Sequence, residues 1–163
     1  RFTFRNIVGM GLRIEAFEWV EYFIKTYGDK LPPEHHESMV SFNLARLAYI
    51  RQRYGEAIAL LQKADYEDLL LNLAARILLL KIYYETRALR PLEASLEATK
   101  IFLRRKKIIG YHRDNYQNIL RYFEKLMALN PFDTAEKKAL QTALEQEEHL
   151  TERDWFLKNL HSK

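Results

Sequence analysis

Apolar residues recur at steps of three and four positions along nearly the whole sequence, and few residues interrupt that rhythm. The chain has 163 residues, of which only five are glycine and four are proline. An all-β fold needs a turn about every 8 to 12 residues, and so few turn-forming residues cannot supply them. Leu, Ala, Glu, Lys and Arg dominate, and all are good helix formers. The sequence therefore predicts an all-α protein.

Turn and capping residues divide the periodic sequence into nine predicted helices with short connections. Gly55 is predicted in a turn between two helices, and Gly110 is predicted to close the helix before it at the C′ position. Asp65, Asp133 or Thr134, and Thr151 are predicted to cap the helices that follow them. The predicted helices span approximately residues 2–14, 17–27, 33–53, 55–64, 66–87, 90–108, 111–129, 134–149 and 152–161.

Several classes of protein are excluded by what the sequence lacks. There is no cysteine, so disulfides and thiolate metal sites are ruled out. The longest apolar run, residues 69–80, falls short of the roughly 20 residues that span a bilayer. The first residues lack the apolar stretch of a signal peptide. We therefore expect a cytoplasmic protein without membrane insertion, and, because the sequence starts at Arg1, a fragment of a longer chain.

An internal repeat groups the predicted helices into pairs. The segments "FEWVEYFI", "YGEAIALL" and "LRPLEASL" begin at Phe17, Tyr54 and Leu89, and each follows one predicted helix and opens another. Their starting points are separated by 37 and then 35 residues. A two-helix unit of this length cannot bury its apolar face alone, so neighbouring units must stack. We expect three hairpins, residues 1–32, 33–69 and 70–110, followed by capping helices over 111–163.

Small residues mark where two helices approach each other in the second hairpin. Ala45 on its first helix and Ala57 on its second are expected to face each other near the turn. Leu61 and Ala64 continue the inward stripe, and Gly55 is expected in the turn itself. A larger residue at Ala57 would overpack the pair.

The segment "NLARLAYIRQRYGEAIALLQKA", residues 43–64, resembles a tetratricopeptide repeat (TPR). It has Leu44 and Ala45 at the family's Leu-Gly pair, Tyr54 at the turn, and then Ala57, Leu61 and Ala64. The first and third hairpins are similar at fewer positions, and Pro91 departs from the family pattern. The segments "FRNIVGMGLR", "FNLARLAYIRQRYGEA" and "ERDWFL" also resemble bacterial TPR-like proteins. The resemblance implies an α-α superhelix, with antiparallel hairpins stacked in a right-handed array and a C-terminal helical cap.

The resemblance also implies a binding groove, because the first helix of each TPR hairpin lines a concave face. Carried over by position, the candidate partner-binding residues are Arg5, Phe42, Arg46, Tyr49, Lys81 and Tyr84. A basic, aromatic surface of this kind suits an extended or helical acidic peptide. The alternative is that these residues pack against a neighbouring helix. We expect a protein-interaction scaffold whose partner is a protein or an acidic peptide.

Some TPR proteins hold a C-terminal carboxylate with a clamp of Lys, Asn and Arg. Arg5 and Asn43 lie near those positions, but Gly9, Ala74 and Leu78 stand where polar groups are needed. We therefore expect no such clamp.

A basic segment, Lys100 to Arg113, supports a second hypothesis, nucleic-acid binding. Its candidate contacts are Arg104, Arg105, Lys106, Lys107 and Arg113, beside Tyr111, which could stack on a base. The formal net charge of the whole chain is only +4, so nucleic acid is the alternative and not the leading partner. A structural spacer or a homodimerisation module is the third hypothesis.

No catalytic or metal-binding pattern stands out. His35, His36 and Glu37 are adjacent, but neighbouring residues on a helix point about 100° apart, so both histidines cannot easily ligate one ion. We expect no enzymatic activity, no metal and no cofactor.

Overall fold

A computed structural model describes residues 2–162, and all regular secondary structure in that range is helical. The prediction of an all-α protein is confirmed. The nine helices of the described range are α1 (Phe2–Arg13), α2 (Phe17–Gly28), α3 (Pro33–Ile50), α4 (Tyr54–Lys63), α5 (Leu69–Glu85), α6 (Leu89–Arg105), α7 (Gly110–Ala128), α8 (Thr134–Gln146) and α9 (Arg153–His161). No helix among these combines the length and the apolar character needed to cross a bilayer.

Capping decides where several helices begin. Asp133 caps α8 as predicted, since its carboxylate accepts hydrogen bonds from the backbone N–H groups of Ala135 and Glu136. The predicted caps at Asp65 and Thr151 are wrong. Asp68, not Asp65, precedes α5 and accepts from the N–H of Leu71 at 2.9 Å. Thr151 lies two residues before α9, and its own N–H donates to Asn115 Oδ1 at 2.8 Å.

The same turn joins the helices of three successive pairs. Its central residue is Glu15, Gln52 or Arg87, each in the left-handed region with φ of 56° to 58°. These positions are 37 and 35 residues apart, which matches the spacing of the sequence repeat. In each turn the N–H of the following residue bonds to the carbonyl five positions back, for example Arg53 to Ala48 at 2.8 Å. This is the Schellman closure of a helix, so the repeat in sequence is also a repeat in backbone geometry.

Gly55 does not occupy the turn, contrary to the prediction. It is the second residue of α4, and a Cβ added there would meet no atom within 4 Å. The left-handed position belongs to Gln52, three residues earlier. Gly110 does have a positive φ, +62°, but it begins α7 instead of closing α6, which ends at Arg105.

The first unit of the chain ends at Ser95 and contains α1 to α5 with the start of α6. Within it α1 packs on α2 and α3, and α3 packs on α2, α4 and α5. First helices of consecutive pairs therefore contact each other, and α1 and α3 also contact the second helices of their own pairs, α2 and α4. Ala45 and Ala57 are fully buried in the same hydrophobic core, on the two packed helices α3 and α4.

The second unit begins at Leu96, inside α6 and within the range expected for the third hairpin. Its core is aromatic, because Phe123 of α7 contacts both Trp155 and Phe156 of α9, with ring centroids 5.1 and 5.0 Å away. Glu147, at the end of α8, links this helix to α7, because it accepts hydrogen bonds from Asn118, Arg121 and Tyr122.

Candidate functional site

Three successive first helices bring cationic and aromatic side chains together on one surface of the first unit. We call this surface the α1/α3/α5 face and define it by Arg5, Arg46, Tyr49, Lys81 and Glu85. The guanidinium groups of Arg5 and Arg46 lie 5.6 and 5.9 Å from the centre of the Phe42 ring. A cation over a ring is attracted by the negative charge of its face, so one α3 ring orients a cation from α1 and another from α3.

A tyrosine pair and a carboxylate continue this face between α3 and α5. The Lys81 ammonium lies 5.8 Å from the centre of the Tyr49 ring. Glu85 accepts hydrogen bonds from the hydroxyl groups of Tyr49, at 2.5 Å, and Tyr54, at 2.7 Å. A carboxylate that accepts from two hydroxyls has fewer lone pairs left for neighbouring cations. Glu85 therefore fixes the tyrosines while adding one negative charge to the basic face.

Gly9 and Asn43 hold the Arg46 side chain in place. A Cβ at Gly9 would come within 3.3 Å of Arg46 Nη2, so the guanidinium lies directly against the backbone of α1. Arg46 Nη1 also donates to Asn43 Oδ1 at 3.0 Å. Asn43 is fully buried and its amide nitrogen donates to the carbonyl of Met39 at 2.8 Å. Both ends of the Asn43 amide are hydrogen-bonded to other residues of α3, so the amide is poorly placed to bind the carboxylate of a partner.

One of the predicted partner-binding residues is buried in the core, and a second has a buried hydroxyl group. Phe42 is only 4% exposed and belongs to the core, so its ring acts as a platform for two arginines. The hydroxyl oxygen of Tyr84 is buried as well. Leu12, Met39 and Ile77, on the same three first helices, are buried as well.

Burial perturbs the tyrosines of this unit. The pKa of Tyr54 is raised from 10.0 to about 12. Loss of contact with water is the main cause, and the hydrogen bond to Glu85 is the second. Burial also raises the pKa of Tyr66 and of Tyr84 to about 12, with the Glu37 charge adding to the effect at Tyr66 and the Arg87 charge opposing it at Tyr84. These tyrosines stay neutral in the fold at a pH where an exposed tyrosine ionises.

An alkaline titration should reveal this group. Because each folded-state pKa lies above the unfolded value of 10.0, the stability that these tyrosines contribute is complete below pH 10 and is lost as pH rises through about 12. We expect absorbance at 295 nm to show at least three late-titrating tyrosines, with helical circular dichroism falling over the same range. Tyr54→Phe should remove one of them. Ionisation of all ten tyrosines near pH 10 with the helices intact would contradict this assignment.

A second surface lies entirely within the second unit, at a cavity of about 590 Å³ between the end of α6, the following loop and α7. We call it the basic cavity. The cavity gathers four of the five residues predicted for nucleic acid, Arg104, Lys106, Lys107 and Arg113, and leaves out Arg105. Tyr111, predicted to stack on a base, instead packs edge-on against His112 and His149.

Sequence reasoning missed Arg121 of the basic cavity, and it included Lys100 only as the first residue of the basic segment, not as a candidate contact. A signal was present, since Arg113, Gln117 and Arg121 follow one another at four-residue steps and so share one side of α7. Within the described range there is no group of three or more His, Asp or Glu side chains arranged to hold a metal ion.

Comparison with known proteins gives no relative for this chain. No protein-family model matches it, no curated protein matches it, and no solved structure matches it.

Proposed function

We propose that this chain is a protein-interaction scaffold, built as a TPR-like array of three stacked hairpins with a helical cap. Support for the array comes from three identical left-handed turns at offsets of 37 and 35 residues and from contacts between consecutive first helices. Stacked hairpins of this kind offer an extended binding surface. The proposed binding surface is the α1/α3/α5 face.

The partner segment we propose is an acidic peptide, extended or helical. The single observation on which this depends is that Arg5, Arg46 and Lys81, from three successive first helices, are each held against an aromatic ring of α3. A side chain that is already ordered loses less entropy when it binds a carboxylate. Arginine also presents two parallel donors to a carboxylate, which makes the contact directional.

Reversal of charge on this face should abolish partner capture. In a crosslinking and capture experiment with extracts of the source cells, we expect the double variant Arg46→Glu with Lys81→Glu to lose the proteins that the wild-type chain retains. The reason is that like charges then face the acidic segment. The milder pair Arg46→Gln and Lys81→Gln should weaken capture while keeping most of the side-chain packing. Quantitative mass spectrometry of the captured proteins is the measurement.

A matched control variant separates the effect of charge on the α1/α3/α5 face from the effect of total charge. Lys63→Glu with Arg90→Glu makes the same charge change at exposed positions on α4 and in the first turn of α6. This variant should capture the wild-type set, and all variants should retain the wild-type circular dichroism spectrum. Equal capture by the face variant and the control would remove the α1/α3/α5 face from consideration.

A further inference from the structure

The basic cavity concentrates the positive charge of the chain in one place. Six basic and two acidic residues line it, an excess of four that equals the formal net charge of the whole sequence. The basic residues are Lys100, Arg104, Lys106, Lys107, Arg113 and Arg121. Like charges gathered around a small volume repel one another, and a bound anion relieves that repulsion.

Ion pairs within the second unit neutralise only part of this charge. Lys100 pairs with Glu124, and Arg121 pairs with Glu147. Arg104 is 3.6 Å from Glu97, but both side chains are well exposed, so solvent screens that pair. In the part of the chain that the structure describes, neither Lys107 nor Arg113 has an acidic side chain within salt-bridge distance. At least two lining cations are therefore available to a ligand.

The volume and the lining favour a compact anion over a strand of nucleic acid. A cavity of about 590 Å³ lies in the size range of small-molecule sites. No aromatic ring is found among its described lining residues, whereas proteins that bind single strands use aromatic rings as stacking platforms. Buried Leu103, Ile108 and Leu120 supply an apolar wall instead.

The beginning of α7 adds to the preference for anions. Ile109, the residue before the helix, lines the cavity and provides no side-chain cap for the first N–H groups of α7. Those groups give the helix end a partial positive charge that stabilises a nearby anion. The cation cluster and the cavity are the main evidence, and this end charge acts in the same direction.

We propose that the basic cavity binds a compact ligand with linked phosphate groups, either an inorganic polyphosphate or the phosphate chain of a nucleotide. Linked phosphates place several negative charges within a few ångströms, which matches an excess of four cations in one small cavity. An acidic peptide spreads the same charge over several residues. Lys107 and Arg113 are the residues that bind the phosphate oxygens, and the apolar wall contacts the organic part of a nucleotide.

Isothermal titration calorimetry on the full chain tests this proposal with tripolyphosphate and ATP as separate probes. We expect saturable binding with a stoichiometry of one, weaker in added NaCl. Lys107→Glu with Arg113→Glu should weaken it about tenfold or more, which corresponds to about 1.4 kcal/mol. Tighter binding of ATP than of tripolyphosphate would assign the apolar wall to a nucleotide, and equal binding would assign the site to the phosphate chain alone.

A charge-matched control variant and a nucleic-acid probe can each overturn the proposal. Lys63→Glu with Arg90→Glu makes the same change of total charge in the first unit, so it should leave the affinity unchanged. Equal weakening by both variants, or no saturable heat with either probe, would overturn the site. Binding of a single-stranded oligonucleotide without binding of tripolyphosphate would also overturn it and would favour the nucleic-acid hypothesis. None of these outcomes depends on partner capture by the α1/α3/α5 face.

Discussion

Replacement of Phe123 by alanine is expected to lower the free energy of unfolding of the second unit by about 3–5 kcal/mol. Phe123 is fully buried on α7, and its ring contacts both Trp155 and Phe156 of α9. Truncation removes the apolar contact area and leaves a cavity that two large rings cannot fill without moving. A loss of this size is a large fraction of the stability of a small domain.

Urea denaturation followed by tryptophan fluorescence measures the effect. The chain has two tryptophans, so a Trp19→Phe background leaves Trp155, in contact with Phe123, as the reporter of the second unit. Phe132→Ala is the matched control, because Phe132 is 90% exposed in the α7–α8 turn. It should change stability by no more than about 0.5 kcal/mol. Equal effects of the two substitutions would mean that the aromatic core is not the main source of stability.

Hydrophobic periodicity was sufficient to predict the helices themselves but not all of their ends. The rhythm of apolar residues persists through each helix, so nine helices of the described range occur near their predicted positions. Ends depend on which of several nearby polar side chains reaches a free backbone N–H. Asp65 and Asp68 have the same chemistry, and only the backbone conformation selects Asp68 as the cap of α5.

The turn residues could not be predicted from conformational preference. Glycine is the usual residue in the left-handed conformation, so the sequence favoured Gly55 as the turn position. Glu15, Gln52 and Arg87 occupy that conformation instead, at a cost that the closing hydrogen bonds offset. The repeat spacing of 37 and 35 residues located the turns correctly even though the residue chemistry did not.

The two candidate surfaces were predictable to different degrees. A cation on each first helix was expected on one face, and Arg5 and Arg46 do share the ring of Phe42. The burial of Phe42 depends on how α1 and α3 pack, which periodicity alone does not give. The basic cavity depends on how α6 and α7 pack in three dimensions, so the four-residue spacing that relates Arg121 to Arg113 could not by itself place Arg121 beside the basic residues of α6.

Replacement of Gly11 by alanine is expected to lower the free energy of unfolding of the first unit by about 1–3 kcal/mol, through overpacking against α2. A Cβ at Gly11 would lie 2.5 Å from Val20 Cγ2 and 3.2 Å from the Trp19 ring. Val20 itself is fully buried and cannot move into solvent. The gain in helix propensity, about 0.5–1 kcal/mol, is too small to offset the clash.

The repeat explains why a glycine is needed at this place. Adding 37 to the two positions gives Ala48 and Ala57, so the second hairpin has two alanines where the first has Gly11 and Val20. Both second-hairpin residues are buried, as are both first-hairpin residues. In the first pair, Val20 carries all of the side-chain volume, whereas in the second pair two alanines carry equal shares.

A double-mutant cycle tests this exchange of volume. Val20→Ala alone loses buried methyl groups, but in that background the new methyl of Gly11→Ala occupies part of the space that they leave. We expect the free energy of unfolding of the double variant, measured by urea denaturation, to be about 0.5–3 kcal/mol higher than the value obtained by adding the effects of the two single substitutions. Gly55→Ala is the control, since its new methyl meets no neighbour and should stabilise α4 by about 0.5–1 kcal/mol. Strict additivity of the Gly11 and Val20 substitutions would show that their side chains do not compete for one space, and the close approach of α1 and α2 at this position would then be wrong.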